Sequence, residues 1–208
     1  MKMKQMLKGL CIVGIAVLTG LCGMSVSAGG KSPVLKVTFD EGSAQDSSGN
    51  GNHGTVAGAP EFVEGMSGKA IHLVNGDGIA AEYVEASQYV NFGTPDDLKF
   101  GTEDFSVMFW YKSDGADPEE VAIISNKDWY SGGNEGITIA DFRNGMGLNF
   151  TAQGSGRIDT GRMTEATDNK WHHIAAVFDR SGDMALYIDG QKATSSDISG
   201  EQGKTIDV

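Results

Sequence analysis

The stretch DSSGNGNHGT, from Asp46 to Thr55, carries Gly49, Gly51 and Gly54 as G-x-G-x-x-G, directly after the apolar run VLKVTF. A dinucleotide cradle needs a helix to open at those glycines, because the helix N-terminus holds the pyrophosphate. The residues that follow, TVAGAPEF, bring another glycine and a proline instead, so no such helix starts here. The oxygen-bearing residues suit a metal better. Asp46, Ser48 and Asn50 fall at alternate positions with Gly51 next, the first half of a calcium loop in which glycine permits the sharp turn. The twelfth position is Ala57 where a bidentate Glu would close the loop, and Asp40 and Glu41 are the nearest further oxygens in sequence. Two readings stand: a partial calcium site with Asp46, Asn50 and Asp40 as ligands, or a Gly/Asn turn that holds no ion.

A second stretch, NKDWYSGGNEG (126–136), sets Trp129 and Tyr130 among Asn126, Lys127 and Asp128. Aromatic faces stack on sugar rings, while amides and carboxylates meet the hydroxyls. Trp129, Tyr130, Asn126 and Asp128 are therefore the candidate ligand-binding residues. The competing reading tucks Trp129 beneath the loop as a satellite of the core.

Catalytic constellations are missing. Glycoside hydrolysis needs two carboxylates across the sugar bond, and no strand carries alternating acids. Glu103 and Asp104 are adjacent, and DPEE (117–120) forms a loop cluster. His172 and His173 are neighbours on a strand, so they point to opposite faces and cannot share a zinc ion. There is no G-x-S-x-G elbow. Met108 and Trp110 are expected in the core. The chain is expected to bind without catalysing, with a protein-adhesion or spacer module of a larger extracellular protein as the alternative and a glycosidase or polysaccharide lyase as the third reading.

The elements that carry these residues read as strands. Thirty glycines and four prolines punctuate short apolar runs at 34–39, 70–74, 89–92, 105–112, 121–127, 136–142, 147–152, 171–179 and 184–189. Asp189-Gly190 between LYI and QKA is a two-residue hairpin signal, and RSGD (180–183) is a second tight turn. Many short strands with frequent turns predict an all-β chain, an antiparallel β-sandwich or barrel.

Residues 1–28 read differently. A basic start with Lys2, Lys4 and Lys8, an apolar stretch and SVSA ending at Ala28 have the order of a secretory signal peptide cut after Ala28, with an uncleaved membrane anchor as the other reading. Both cysteines, Cys11 and Cys22, lie within it, so residues 29–208 are expected to be secreted without disulfides. Losing three lysines and no acid moves the formal net charge from −12 to −15. That balance argues against nucleic acid and anionic membranes as partners.

VTFDEG, DSSGNGNHGT, GMSGKAIHL, YVNFG, DFSVMFWYK, NKWHHIAAVFD and LYIDGQKA, in this order, resemble laminin G-like domains of the concanavalin A-like, pentraxin-like jelly-roll superfamily. The resemblance covers about residues 34–200. It implies two packed antiparallel sheets, often a structural calcium ion, and binding of a polysaccharide, a cell-surface glycan or a protein without chemistry. Such domains usually run on into a closing strand resembling G-x-I-D-E-V-R-I-Y, whereas this chain ends in GEQGKTIDV. The expected organisation is a leader at 1–28 and a jelly-roll domain at 29–208 that lacks its last strands, either as part of a longer multidomain chain or as a shorter domain.

Overall fold

The computed structural model describes the backbone of residues 3–13 and residues 32–75, 88–113, 121–127, 135–142 and 145–207. Fourteen strands are described: β1 (Met3–Val13), β2 (Leu35–Val37), β3 (Thr55–Ala57), β4 (Glu61–Glu64), β5 (Lys69–Asn75), β6 (Tyr89–Asn91), β7 (Phe105–Ser113), β8 (Val121–Ser125), β9 (Gly136–Phe142), β10 (Gly145–Thr151), β11 (Ile158–Asp159), β12 (His172–Phe178), β13 (Asp183–Ile188) and β14 (Gln191–Asp197). Two 3-10 turns, at Asp96–Leu98 and Ser199–Glu201, are the only helical pieces among the described residues.

One sheet has the order β14-β13-β12-β7-β1-β5-β4, with β2 paired to β1; a second has the order β11-β10-β9-β8; β3 and β6 form a two-stranded ribbon. Every strand pair is antiparallel. The two larger sheets face each other across one apolar core, the antiparallel sandwich that the strand pattern allowed and the jelly roll that the resemblance implied.

The period of two along each strand decides what enters that core. In β7, Phe105, Val107, Phe109 and Tyr111 are buried, and the residues between 107 and 113 alternate with them as half-buried. Met108 and Trp110 therefore sit on the outer face, which corrects the expectation that they are core residues. Trp110 packs edge-on against His173, centroids 5.3 Å apart. From the small sheet, Ile137, Ile139, Met146, Leu148 and Phe150 close the core from the other side. Phe100 stacks on Phe105 at 4.2 Å and Phe105 on Phe178 at 4.4 Å, and Phe178 meets Phe150 at 6.1 Å. That aromatic column ties the two sheets together.

The hairpin expected at Asp189-Gly190 is present. Both residues have positive φ, 51° and 79°, the signature of a type I′ turn, and Ile188 pairs with Gln191. The turn at 180–183 brings Gly182 N–H onto the Asp179 carbonyl at 3.0 Å. Arg180, only 2% exposed, lies over the Phe150 ring at 4.9 Å. Its guanidinium donates to the carbonyls of Gly101, Glu201 and Lys204 and so fastens the last turn to the core.

Met3–Val13, which the sequence places in a leader, runs as β1 between β5 and β7. The molecule described is the chain with residues 1–28 attached.

Candidate ligand-binding face

The second sheet sends Ile137, Ile139, Leu148 and Phe150 into the core, so their neighbours Thr138, Asn149 and Thr151 must lie on its opposite face. Register then aligns four polar residues across four strands. Ser125 of β8 pairs with Thr138 of β9, Thr138 with Asn149 of β10, and Asn149 with Asp159 of β11. Beside this row runs a row of small residues, Ala122, Ala140 and Gly147, paired in the same way. Phe142 stands beyond it with the Arg162 guanidinium over its ring at 4.3 Å. A polar ledge thus borders a floor without bulky side chains.

Hydrogen bonds fix the ledge. The Ser125 and Thr138 hydroxyls meet at 3.0 Å. The Asn149 amide donates to Asp159 Oδ1 at 2.9 Å, and Arg157 Nε donates to the same oxygen at 2.9 Å. Lys127 Nζ donates to the Thr151 hydroxyl at 2.8 Å. Burial lowers the Lys127 pKa, with help from the Arg157 charge and against that of Asp159. Thr138, Asn149 and Thr151 are buried, while Ser125 and Asp159 at the two ends are exposed. One atom is left over: Asn149 Oδ1 is buried and has no hydrogen-bond partner. A buried amide oxygen without a donor costs about 1–3 kcal/mol; with Thr138, Asn149 and Thr151 covered, it is the Ser125 and Asp159 ends of the row that stand open to a ligand.

Of the residues singled out from sequence, Asn126 adjoins this face. Its Oδ1 accepts the Ile137 N–H at 2.7 Å, so it anchors the start of the 126–136 loop. Gly136 is required there, because a Cβ would stand 2.4 Å from that oxygen. Asp128, Trp129 and Tyr130 lie outside the described residues. Thr138, Asn149, Thr151, Arg157 and Asp159 escaped the sequence reading. For Thr138, Asn149 and Thr151 the signal was a polar residue alternating with apolar ones in GITIADF and GLNFTA, but those segments count as apolar runs when read whole; Arg157 and Asp159 stand outside both.

The DSSGNGNHGT loop resolves into a turn held by Asp46. Oδ1 of Asp46 accepts the N–H groups of Lys36 and Ser48, and Oδ2 accepts the Ser48 hydroxyl and the Asn52 N–H, at 2.8–3.0 Å. Four donors fill the four lone-pair directions of a carboxylate. Burial alone would raise the Asp46 pKa, yet these donors bring it down to about 2. The Asn50 amide donates to the Pro33 and Val34 carbonyls, while Asp40 Oδ1 accepts the Lys69 N–H. A calcium ion at Asp46 would have to displace these donors, and no group of three His, Cys, Asp or Glu side chains converges among the described residues.

A different kind of space opens between β6 and β8, a cavity of about 510 Å³ walled by Leu35, Phe39, Val90, Phe92, Ile123 and Ile124. Polar side chains, among them Gln88, Asn91, Lys99, Asn126 and Asp207, share its lining with these apolar ones.

Among the described residues, Asp159 is the one acid in the row, and it is ion-paired with Arg157 at 2.9 Å.

The comparisons with known proteins agree with this architecture. Residues 84–207, more than half of the chain, match the laminin G family model described as the concanavalin A-like lectin/glucanases superfamily. No curated protein matches the chain in sequence. Among solved structures it is similar to the binding domain of Paraclostridial Mosquitocidal Protein 1, with a TM-score of 0.58 and 17% identity over 97% of this chain and 42% of that one. It is similar also to the receptor binding domain of botulinum neurotoxin D, with a TM-score of 0.56 and 17% identity over 79% of this chain and 39% of that one. The chain spans about two fifths of the length of these structures, and at this identity the likeness is one of fold. With the family match and the sandwich both in hand, the chain belongs to the laminin G-like branch of the concanavalin A-like superfamily.

Proposed function

We propose that this chain is an extracellular binding module that takes a polysaccharide or cell-surface glycan on the polar face of the β8–β11 sheet and performs no chemistry on it. The observation that carries the reading is the cross-strand row of hydroxyl, amide and carboxylate groups whose Ser125 and Asp159 ends are exposed. Asn–Asp pairs suit vicinal sugar hydroxyls because the amide and the carboxylate together offer donor and acceptor at adjacent positions. The solved relatives in fold are binding domains by their titles, which supports recognition as the task. A lone ion-paired acid does not supply the two carboxylates of a glycosidase.

Trp129 and Tyr130 are proposed to add stacking from the edge of the same face. Lys127, whose amine is bonded to Thr151 there, stands two residues before Trp129, a reach of about 7 Å of extended chain. The test is a glycan array with the unmodified chain, Asp159→Ala and Trp129→Ala. Each variant is expected to lose several-fold in affinity, about 1 kcal/mol, with near-ultraviolet circular dichroism unchanged; Asp159→Ala also takes the acceptor from the buried Asn149 amide and should lower the melting temperature. Normal binding by both folded variants would move the site off this face and return the chain to the protein-adhesion or spacer role.

A further inference from the structure

The cavity of about 510 Å³ lies between two strand edges, those of β6 and β8. Among the described residues, β8 is the outer strand of its sheet and β6 pairs only with β3. The space has the size of sites that enclose small molecules, roughly 300–1,000 Å³.

Its lining divides by depth. The buried part is apolar: Leu35, Phe39, Val107 and Ile137, each at most 3% exposed. Phe92, Leu98, Phe100 and Ile123 are half-buried and pack against the same core. The exposed part is mostly polar, with Asn91, Thr94, Lys99, Asn126 and Asp207. A molecule that matches both parts is amphipathic, its apolar end inward and its polar end at the mouth.

The mouth also selects the polar end. Lys99 Nζ donates to Asp96 Oδ1 at 2.6 Å, and Asp207 Oδ1 accepts the Gly101 N–H at 2.7 Å. The charges there are thus already engaged within the chain. Asn91 and Asn126 spend their side-chain oxygens on the N–H groups of Gly93 and Ile137, at 2.8 and 2.7 Å. Their amide N–H groups and the Thr94 hydroxyl are what remains for a ligand. Uncharged donors of this kind suit hydroxyl oxygens.

We propose that this cavity binds one molecule of an uncharged amphiphile, a single alkyl chain under a hydroxyl-bearing head. The alkyl chain lies against Phe39, Val107 and Ile137, and the head meets the amides of Asn91 and Asn126. Asn126 also adjoins the polar face of the β8–β11 sheet. The cavity makes no use of Thr138, Asn149 or Asp159, so the two sites succeed or fail separately.

The experiment titrates n-alkyl β-glucosides from hexyl to nonyl, each below its micelle concentration, into the full chain by calorimetry. Saturable one-to-one binding is expected, tightening by up to about fourfold per added methylene. With octyl glucoside at saturation, backbone amides of β6 and β8 should exchange more slowly while those of β13 do not change. Ile123→Trp, which puts an indole into the lining, should flatten the dependence on chain length. Asp159→Ala should leave that dependence as it is. The proposal is overturned if affinity does not rise with chain length, or if protection appears away from β6 and β8. It is overturned also if octanoate or octylammonium binds this site more tightly than octyl glucoside. These three outcomes are read on the unmodified chain, so none depends on a variant folding.

Discussion

Asp46 shows how much one side chain decides in this molecule. Its four accepted hydrogen bonds join the backbone of Lys36, Ser48 and Asn52 into one turn. A carboxylate pKa lowered from 3.8 to about 2 corresponds to about 2 kcal/mol of native-state preference for the charged form. Because the folded pKa is depressed, that stability is present above about pH 4 and lost as pH falls toward 2. Asp46→Ala should cost about 2 kcal/mol or more in urea titration at neutral pH. Adding calcium or a chelator should leave the melting temperature of the unmodified chain where it was; a calcium-dependent rise would show that the ion outcompetes the N–H donors. His172 gives the opposite sign. Burial pulls its pKa down, but hydrogen bonds to Asp168 at 2.9 Å and Asp189 at 2.7 Å outweigh this and raise it. A raised histidine stabilises the fold fully below its unfolded pKa of about 6.5 and loses that contribution as pH rises through the folded value. The two acids, both lowered, keep their share down to the carboxylate range. The melting-temperature gap between the unmodified chain and His172→Gln should therefore be widest below about pH 6.5 and narrow as pH rises through the folded value. A gap independent of pH would assign His172 a packing role alone.

At the scale of the element, the β13–β14 hairpin depends on its two-residue turn. Gly190 has φ 79°, where an L side chain is strained, so Gly190→Ala should cost about 1 kcal/mol without altering the fold seen by circular dichroism. This turn was legible in sequence because Asp-Gly has few alternatives between two apolar runs. β9 was legible too, with 136–142 in both the sequence and the structure. The Asp46 turn was not, because a calcium loop and a hydrogen-bonded Asx turn call on the same Asp, Ser, Asn and Gly. Nothing in the residue types says whether N–H groups or an ion will fill the carboxylate. Met108 and Trp110 were misplaced for a related reason: an aromatic run names a central strand but does not say how far its second face is covered. The short strands β3, β4 and β11 escaped notice because two to four residues are too few to show a period. The ledge Ser125–Thr138–Asn149–Asp159 exists only through register, and register between strands far apart in sequence comes from the packed core.

On the scale of the whole molecule, charge and fold respond to acid in two separable steps. The chain has a formal net charge of −12 and a pI of about 4.6. Near that pH the mutual repulsion that keeps molecules apart vanishes. The folded state persists there, because the carboxylates that matter most to it titrate lower still. Asp46 is held to about 2 by its N–H donors, Asp189 is lowered by the His173 N–H and the His172 ring against the effect of burial, and Glu201 by Ser155 and Lys204. Each of these depressed groups stabilises the native state above its unfolded pKa and withdraws that support as pH falls through its folded one. Loss of solubility should therefore precede loss of structure. In a titration from pH 7 downward, turbidity is expected to peak around 4.6 and reverse on raising the pH, with near-ultraviolet circular dichroism unchanged. Cooperative unfolding should follow only below about pH 3.5, once protons compete for the lowered carboxylates. Asp46→Asn, which carries no titrating group at that position, should flatten the acid limb without moving the turbidity peak appreciably. Unfolding that coincides with the peak near 4.6 would mean that net charge, and not these hydrogen-bonded carboxylates, governs the acid stability of the domain.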